Sequence, residues 1–262
     1  MKLNKKSFVR IVSVFLLLIL FLAGCADGNE EEKNAALPAG SNTTNTKKVA
    51  LTFDDGPHNV YTKKIVDELS KYGAHATFFV VGSRLDGTDY NGKAGMEYAV
   101  SAGNEIGIHG YTHKKYYDTC SEEDYRSELS KTLQAIRKIS PDTPVTQMRP
   151  VGGRITDARA ENCDYAILLW NVDSEDWKHK YSSSADESTK EENLAVIVDN
   201  VMSTVSDGSI ILMHDIYAST YDATVAILER LYAEGYEVVT VSELLGEDLT
   251  NGVKYYSKKS RS

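Results

Sequence analysis

Cysteine is scarce in this chain: Cys25, Cys120 and Cys163 are the whole complement of 262 residues. The spacing of Cys120 and Cys163 matches no CxxC motif, and two thiols cannot build a zinc site of the cysteine-rich kind. A disulfide between them and a pair of free buried thiols both stay open. Glycine-rich phosphate loops are missing as well. No GxGxxG or Walker pattern follows any apolar run, which argues against nucleotide chemistry. Positive charge is in deficit: the formal net charge is -9. Such a surface repels a phosphate backbone, so nucleic acid is excluded as a partner. Long apolar runs are missing too, since residues 11–23 form a stretch short of the ~20 residues that a membrane span needs.

That stretch has a different use. It follows the basic segment MKLNKKSFVR and ends in small residues, the pattern of a secretory signal. The ending Leu22-Ala23-Gly24-Cys25 resembles the bacterial lipobox, in which the cysteine is acylated after cleavage. An uncleaved N-terminal anchor is the alternative, and either one puts the remainder outside the cytoplasm, held to the cell membrane. Residues 1–24 are therefore expected to be a lipoprotein signal peptide. Residues 25–47 are expected to be the lipidated Cys25 and a flexible tether, because ADGNEEEKNAALPAGSNTTNTKK has almost nothing to bury. Loss of Lys2, Lys5, Lys6 and Arg10 with the signal would take the charge to about -13. The folded domain is placed at residues 48–246, a length that suits one α/β domain acting as a monomer. The basic ending KYYSKKSRS, within a tail at 247–262, is read as a frayed end.

Between these limits strand and helix signals alternate. KKVALTFDD alternates Val49, Leu51 and Phe53 on one face, whereas HATFFVVG is the continuous β-branched and aromatic run of a strand buried on both faces. YTKKIVDELSKYG carries Ile65, Val66 and Leu69 at helical spacing and stops at Gly73. Ser121 and Asp124 form a capping box before the helix SEEDYRSELSKTLQAIRKIS. YAILLWNVD is read as one buried strand, and SIILMHD and YEVVTV as two more. About seven β/α units with right-handed crossovers give a parallel sheet, and this size suits a distorted (β/α) barrel.

Chemistry in parallel α/β folds gathers where strands end. The strand ends here carry Asp54-Asp55, His109, Arg149, Asp173 with Asp176, and His214-Asp215. Two adjacent aspartates repel each other and gain nothing from a core. Gly56-Pro57 turns the chain so that both can face one mouth, one ligating a cation while the other takes a proton from water. His109 and His113 stand four apart, and Gly107 and Gly110 favour a tight turn over a helix. Two histidines and a carboxylate with an open position make a hydrolytic metal set. His214 is either a satisfied core histidine or a general acid. Trp177 is either core or the wall of a small pocket.

Together TFDDGP, HGYTH, RPVGG, DSEDW and IILMH resemble the five ordered motifs of the polysaccharide deacetylases, the NodB-homology carbohydrate esterases of family 4, over about residues 48–245. The resemblance implies Asp54 as general base, and Asp55, His109 and His113 as ligands of one divalent ion, zinc or alternatively cobalt. It implies that Arg149 holds Asp54, and that Asp176, with Asp173 as a substitute, orients His214 as general acid. Trp177 and Leu212 would line the pocket for the acetyl methyl, and the Gly152 N–H would face the oxyanion. The implied reaction removes N-acetyl groups from acetylated cell-wall glycan, N-acetylglucosamine of peptidoglycan first. O-acetyl hydrolysis on xylan and a silent glycan-binding lipoprotein are the alternatives. RPVGG departs from the family's Arg-Pro-Pro-Tyr-Gly pattern, and the missing aromatic is expected to widen the sugar subsite.

Overall fold

A computed structural model of the chain describes residues 46–86, 92–246 and 249–261. The signal, Cys25 and nearly all of the tether lie outside the described residues. The order is β1 (Lys47–Asp54), α1 (Tyr61–Lys71), β2 (Thr77–Val80), α2 (Gly82–Leu85), α3 (Lys93–Ser101), β3 (Glu105–Ile108), α4 (Glu122–Ile139) and β4 (Gln147–Met148). After a short 3-10 turn at Val151–Gly153 come α5 (Asp157–Glu161), β5 (Ala166–Leu168), β6 (Val172–Asp173), α6 (Glu187–Met202) and β7 (Ile210–His214). The chain finishes with α7 (Ala218–Ala233), β8 (Tyr236–Val238), α8 (Val241–Leu245), β9 (Lys254–Ser257) and β10 (Ser260–Arg261).

One sheet runs in the order β10-β9-β5-β4-β3-β2-β1-β7-β6, with β8 paired to the start of β1. All pairs are parallel except β9 with β10. An antiparallel bridge between Ser209 and Ser257 ties the far strands back to the foot of β7, so the sheet curls toward a barrel. The period of two along β1 then separates two cores. Val49, Leu51 and Phe53 pack outward with Ile65, Val66 and Leu69 of α1, whereas Ala50 joins Phe79, Leu168 and Ile210 in a second cluster. Burial of each large apolar side chain on α1 stabilises the fold by roughly 1.5–3 kcal/mol. Thr52 and Asp54 share the parity of Ala50, which sets a carboxylate at the end of the inner face. Among the described residues no helix is long and apolar enough to cross a membrane.

The expected curled sheet of parallel strands is what forms, with ten strands among the described residues. Three sequence expectations need correction in detail. The run YAILLWNVD is not one strand: β5 pairs with β4, whereas β6 pairs with β7. Asn171 makes the break, its Oδ1 accepting from Ile210 N at 2.9 Å and its Nδ2 donating to Ser209 Oγ at 3.1 Å. The C-terminal tail is not frayed. β9 pairs with β5 and buries Tyr255, so the sheet continues past the expected boundary at 246 and covers an edge that β5 would otherwise expose. Ser121 caps α4 by accepting from Asp124 N, but the Asp124 carboxylate goes to Lys115 Nζ at 3.0 Å. The reciprocal box forms elsewhere, between Thr240 and Glu243 at α8. Cys120 and Cys163 are both free thiols.

Candidate active site

The inner face of the sheet ends in a cavity of about 370 Å³. Its lining includes Asp54, Asp55, His109, His113, Gly152, Asp173, Trp177, Leu212 and His214. Parallel register explains much of this convergence: Asp54 stands opposite Phe79 on one side and His214 on the other.

Arg149 is fully buried and makes four hydrogen bonds. Nη1 donates to Asp54 Oδ1 and to Thr52 Oγ1, both at 2.8 Å. Nε donates to Leu168 O at 2.9 Å and Nη2 to Leu169 O at 3.0 Å. Its guanidinium lies 4.3 Å from the Phe79 ring centroid. A buried guanidinium is costly unless paired, and burial pulls its pKa down while the Asp54 charge pushes back. The carboxylate of Asp54 is thereby held in one orientation at the base of the cavity.

Asp55 occupies left-handed backbone at φ 70, and His113 does so at φ 58. Asp55 Oδ1 lies 2.9 Å from His113 Nε2 and 3.4 Å from His109 Nε2. His109 Nδ1 donates to Arg149 O at 2.9 Å, which leaves the Nε2 lone pair facing Asp55. The segment between the histidines is a turn, not a helix. Gly110 sits at φ 83, and a Cβ there would meet Tyr117 Oη at 2.7 Å, so no side chain fits at this position. Glu128 on α4 locks this turn, accepting from Tyr111 N at 2.7 Å and from Thr112 N at 2.8 Å.

On the far side of Asp54, His214 Nδ1 donates to Asp176 Oδ1 at 2.7 Å. The second carboxylate oxygen, Oδ2, accepts from His214 N at 2.8 Å and from Thr220 Oγ1 at 2.5 Å. Burial alone would lower the histidine's pKa, but the charge and hydrogen bond of Asp176 outweigh it and raise it to about 9. Asp173 does not substitute here, because its carboxylate accepts from Glu175 N at 2.9 Å.

Gly152 has φ 62. In its turn the Gly153 and Arg154 amides already donate to Pro150 O and Val151 O. Leu212 is buried behind the cavity, whereas Trp177 is 47% exposed at its mouth. Sequence reasoning gave no role to Tyr116, Trp170 and Tyr217, which also line the cavity. It left Thr220 unassigned and gave Asp215 no task. Asp215 is buried under the Asp55–Gly56 turn and accepts from Thr62 Oγ1. A Cβ on Gly56 would meet its Oδ1 at 2.1 Å, so that position has room for glycine alone. Burial raises the Asp215 pKa to about 7. No local pattern marks these residues, since each acts through a partner far away in sequence.

With this geometry in view, the likeness to known proteins becomes specific. The family model for polysaccharide deacetylase matches residues 41–167. The solved structure of the peptidoglycan deacetylase PdaC from Bacillus subtilis superposes with a TM-score of 0.67 at 38% identity, covering 76% of this chain and 90% of that one. The chain belongs to the polysaccharide deacetylase family. Over 200 residues it is 39% identical to the full-length Bacillus subtilis protein, named peptidoglycan-N-acetylmuramic acid deacetylase PdaC. Over 212 residues it is 33% identical to the peptidoglycan-N-acetylglucosamine deacetylase PgdA of Listeria monocytogenes. These matches cover 76% and 81% of this chain but 39% and 42% of those relatives, so the chain spans about two fifths of their length. A family 4 acetyl xylan esterase from Clostridium thermocellum, solved with a cobalt ion, superposes with a TM-score of 0.67 at 32% identity, covering 80% of this chain and 98% of that one.

Members of this family depend on a metal ion, and the residues present here fit one. Ligand atoms of Asp55, His109 and His113 lie within 4.8 Å of one another. Asp55 Oδ1 is buried with no hydrogen-bond donor of its own. Burial works to raise the Asp55 pKa, yet the neighbouring His109 and His113 imidazoles hold it well below the usual carboxylate range. An ionised oxygen facing two imidazoles is the donor set of a divalent cation.

Proposed function

We propose that the chain is a zinc-dependent deacetylase that removes N-acetyl groups from peptidoglycan, acting on N-acetylglucosamine. The observation that carries this reading is a pair of tethered proton carriers lining the same cavity as the ligand set: Asp54 held by Arg149, and His214 held by Asp176. Asp55, His109 and His113 would hold a divalent ion, which would supply Lewis-acid polarisation of the acetyl carbonyl and a more acidic water. Asp54 accepts the proton of the water that attacks the carbonyl carbon. With Nδ1–H committed to Asp176, His214 Nε2 delivers a proton to the sugar nitrogen as the C–N bond breaks, and acetate leaves. The Gly152 N–H, at the edge of the same cavity, is the donor for the developing oxyanion. Leu212 and Trp177 border the space for the methyl group.

Relatives named peptidoglycan deacetylases support the amide reading, and the likeness to an acetyl xylan esterase favours ester hydrolysis as the second one. Acetate release from purified peptidoglycan strands and from acetylated xylan, each with and without chelator, separates the two. Analysis of the deacetylated amino sugar then distinguishes glucosamine from muramic acid. Chelation should abolish turnover and zinc should restore it. Release from xylan alone would establish the esterase reading, and binding of both polymers without release would make the chain a silent glycan binder. Lipid attachment at Cys25 on the outer face of the cell membrane completes the proposal, supported by the sequence Leu22-Ala23-Gly24-Cys25. Loss of membrane association in Cys25→Ser tests it.

A further inference from the structure

The missing aromatic at Gly152 leaves an empty role beside the cavity, and another residue stands next to it. Tyr116 lines the cavity and is 45% exposed. A Cβ built on Gly152 would touch its ring, 3.3 Å from Cε1. The ring is supported from behind, with the Arg154 guanidinium 4.3 Å from its centroid. Arg154 is itself held by Asp118, with Nε donating to Oδ2 at 2.9 Å and Nη2 lying 2.8 Å from the same oxygen.

The backbone under Tyr116 is fixed as well. Its carbonyl accepts from Thr119 N at 3.2 Å and from Cys120 N at 3.0 Å. The next residue, Tyr117, is fully buried and forms a β-bridge with Ile155, joining this loop to the one that carries Gly152. An exposed tyrosine held so firmly has no packing task of its own. Aromatic rings with restrained geometry bind the C–H faces of sugars, and a preorganised ring loses little freedom on binding. The exposed Trp177 lines the same cavity.

We propose that Tyr116, propped by the Arg154–Asp118 pair, is the sugar-stacking wall of this site, taking the place of the aromatic absent at 152. The inference rests on the deacetylase reading and adds a residue that decides glycan affinity. Gly152 is then required twice, for its left-handed backbone and for leaving space to the Tyr116 ring. Arg154 and Asp118 are positioning residues, because they act through the ring.

The test uses the zinc-loaded protein, N,N',N'',N'''-tetraacetylchitotetraose and a small aryl acetate that fills only the acetyl pocket. Tyr116→Ala should raise KM for the tetramer by about tenfold with kcat unchanged, and leave aryl acetate hydrolysis as it was. Tyr116→Phe should behave as the parent, since the ring and not the hydroxyl makes the contact. Arg154→Ala and Asp118→Ala should raise the same KM by a smaller factor. An unchanged tetramer KM in Tyr116→Ala, or equal losses on both substrates, would overturn the proposal. If the parent protein releases acetate from neither the tetramer nor peptidoglycan strands, the deacetylase reading fails on its own. Calorimetric binding of the tetramer then decides the wall: about tenfold weaker binding by Tyr116→Ala supports it, and equal binding rejects it.

Discussion

The floor of the cavity and its rim are built on different principles. On the floor, Asp54, His109, Arg149, Asp176 and His214 are buried or nearly so, and each is bonded to residues tens of positions away in the chain. At the rim Tyr116 and Trp177 are half exposed and lean on single cationic neighbours, Arg154 and Lys178. Proton transfer needs donors and acceptors fixed to a fraction of an ångström, which only a fully satisfied buried network provides. Recognition of a sugar ring tolerates more, because stacking falls off gently with position. A change of side chain is therefore cheaper at the rim.

If the floor acts as one network, Arg149→Ala should have the largest effect. It leaves the Asp54 carboxylate and the Leu168 and Leu169 carbonyls without their donor. Loss of one partner of a buried ion pair costs about 3–5 kcal/mol, so chemical denaturation should show a loss of that size together with loss of turnover. A change below about 1 kcal/mol, the scale of one ordinary hydrogen bond, would mean that the site tolerates an unpaired Asp54.

Asp176→Asn comes next. It keeps the shape but removes the charge that raises His214 to about 9. A general acid must be protonated, so the alkaline limb of kcat/KM should lie near 9 in the parent and at lower pH in the variant. The rate itself should fall about 10²–10⁴-fold. The same shift bears on folding: a raised histidine pKa contributes stability fully present below its unfolded value, near 6.5, and lost as pH rises through 9. An unmoved alkaline limb in the variant would assign the acid to another group.

Asp215→Asn probes the support beneath the floor. A carboxyl raised to about 7 favours the fold below its unfolded value, near 3.9, and this contribution is lost as pH climbs through 7. The amide carries no such dependence. Between pH 4 and 7 the stability of Asp215→Asn should gain on the parent by at most about 1.4 kcal/mol per pH unit. Parallel pH–stability curves would show that Asp215 titrates normally.

The rim should give the smallest response. Trp177→Ala should change stability by no more than about 0.5 kcal/mol, as an exposed position does, and raise KM while sparing kcat. A large fall in kcat would place Trp177 with the floor.

The paired aspartates, the two histidines four apart and the apolar strands that run into them were legible because each is a local pattern: a period of two, a helical stripe, a turn at Gly-Pro. The burial of β1 followed from its own residues, and so did the order of strands and helices from the alternation. What escaped depended on pairing over distance. Asn171 divides one apolar run between two parts of the sheet only because Ser209 and Ile210 are there to bond it. The tail Lys254–Ser257 becomes a strand only because β5 offers an edge. The roles of Thr220 and Asp215 depend on Asp176 and Gly56 in the same way.

Gly152 shows where the line falls. Its sequence says that an aromatic is missing, and a tyrosine placed there would be the obvious replacement. Its φ of 62 and the ring of Tyr116 beside it deny that, since a side chain would be strained by roughly 1–3 kcal/mol and would crowd the ring. The identities of the chemical groups, and the strand ends that carry them, were determined by sequence because hydrophobic periodicity is a property of neighbours along the chain. Which group faces which, and which aromatic borders the sugar site, was decided only when the curled sheet brought distant loops within van der Waals reach.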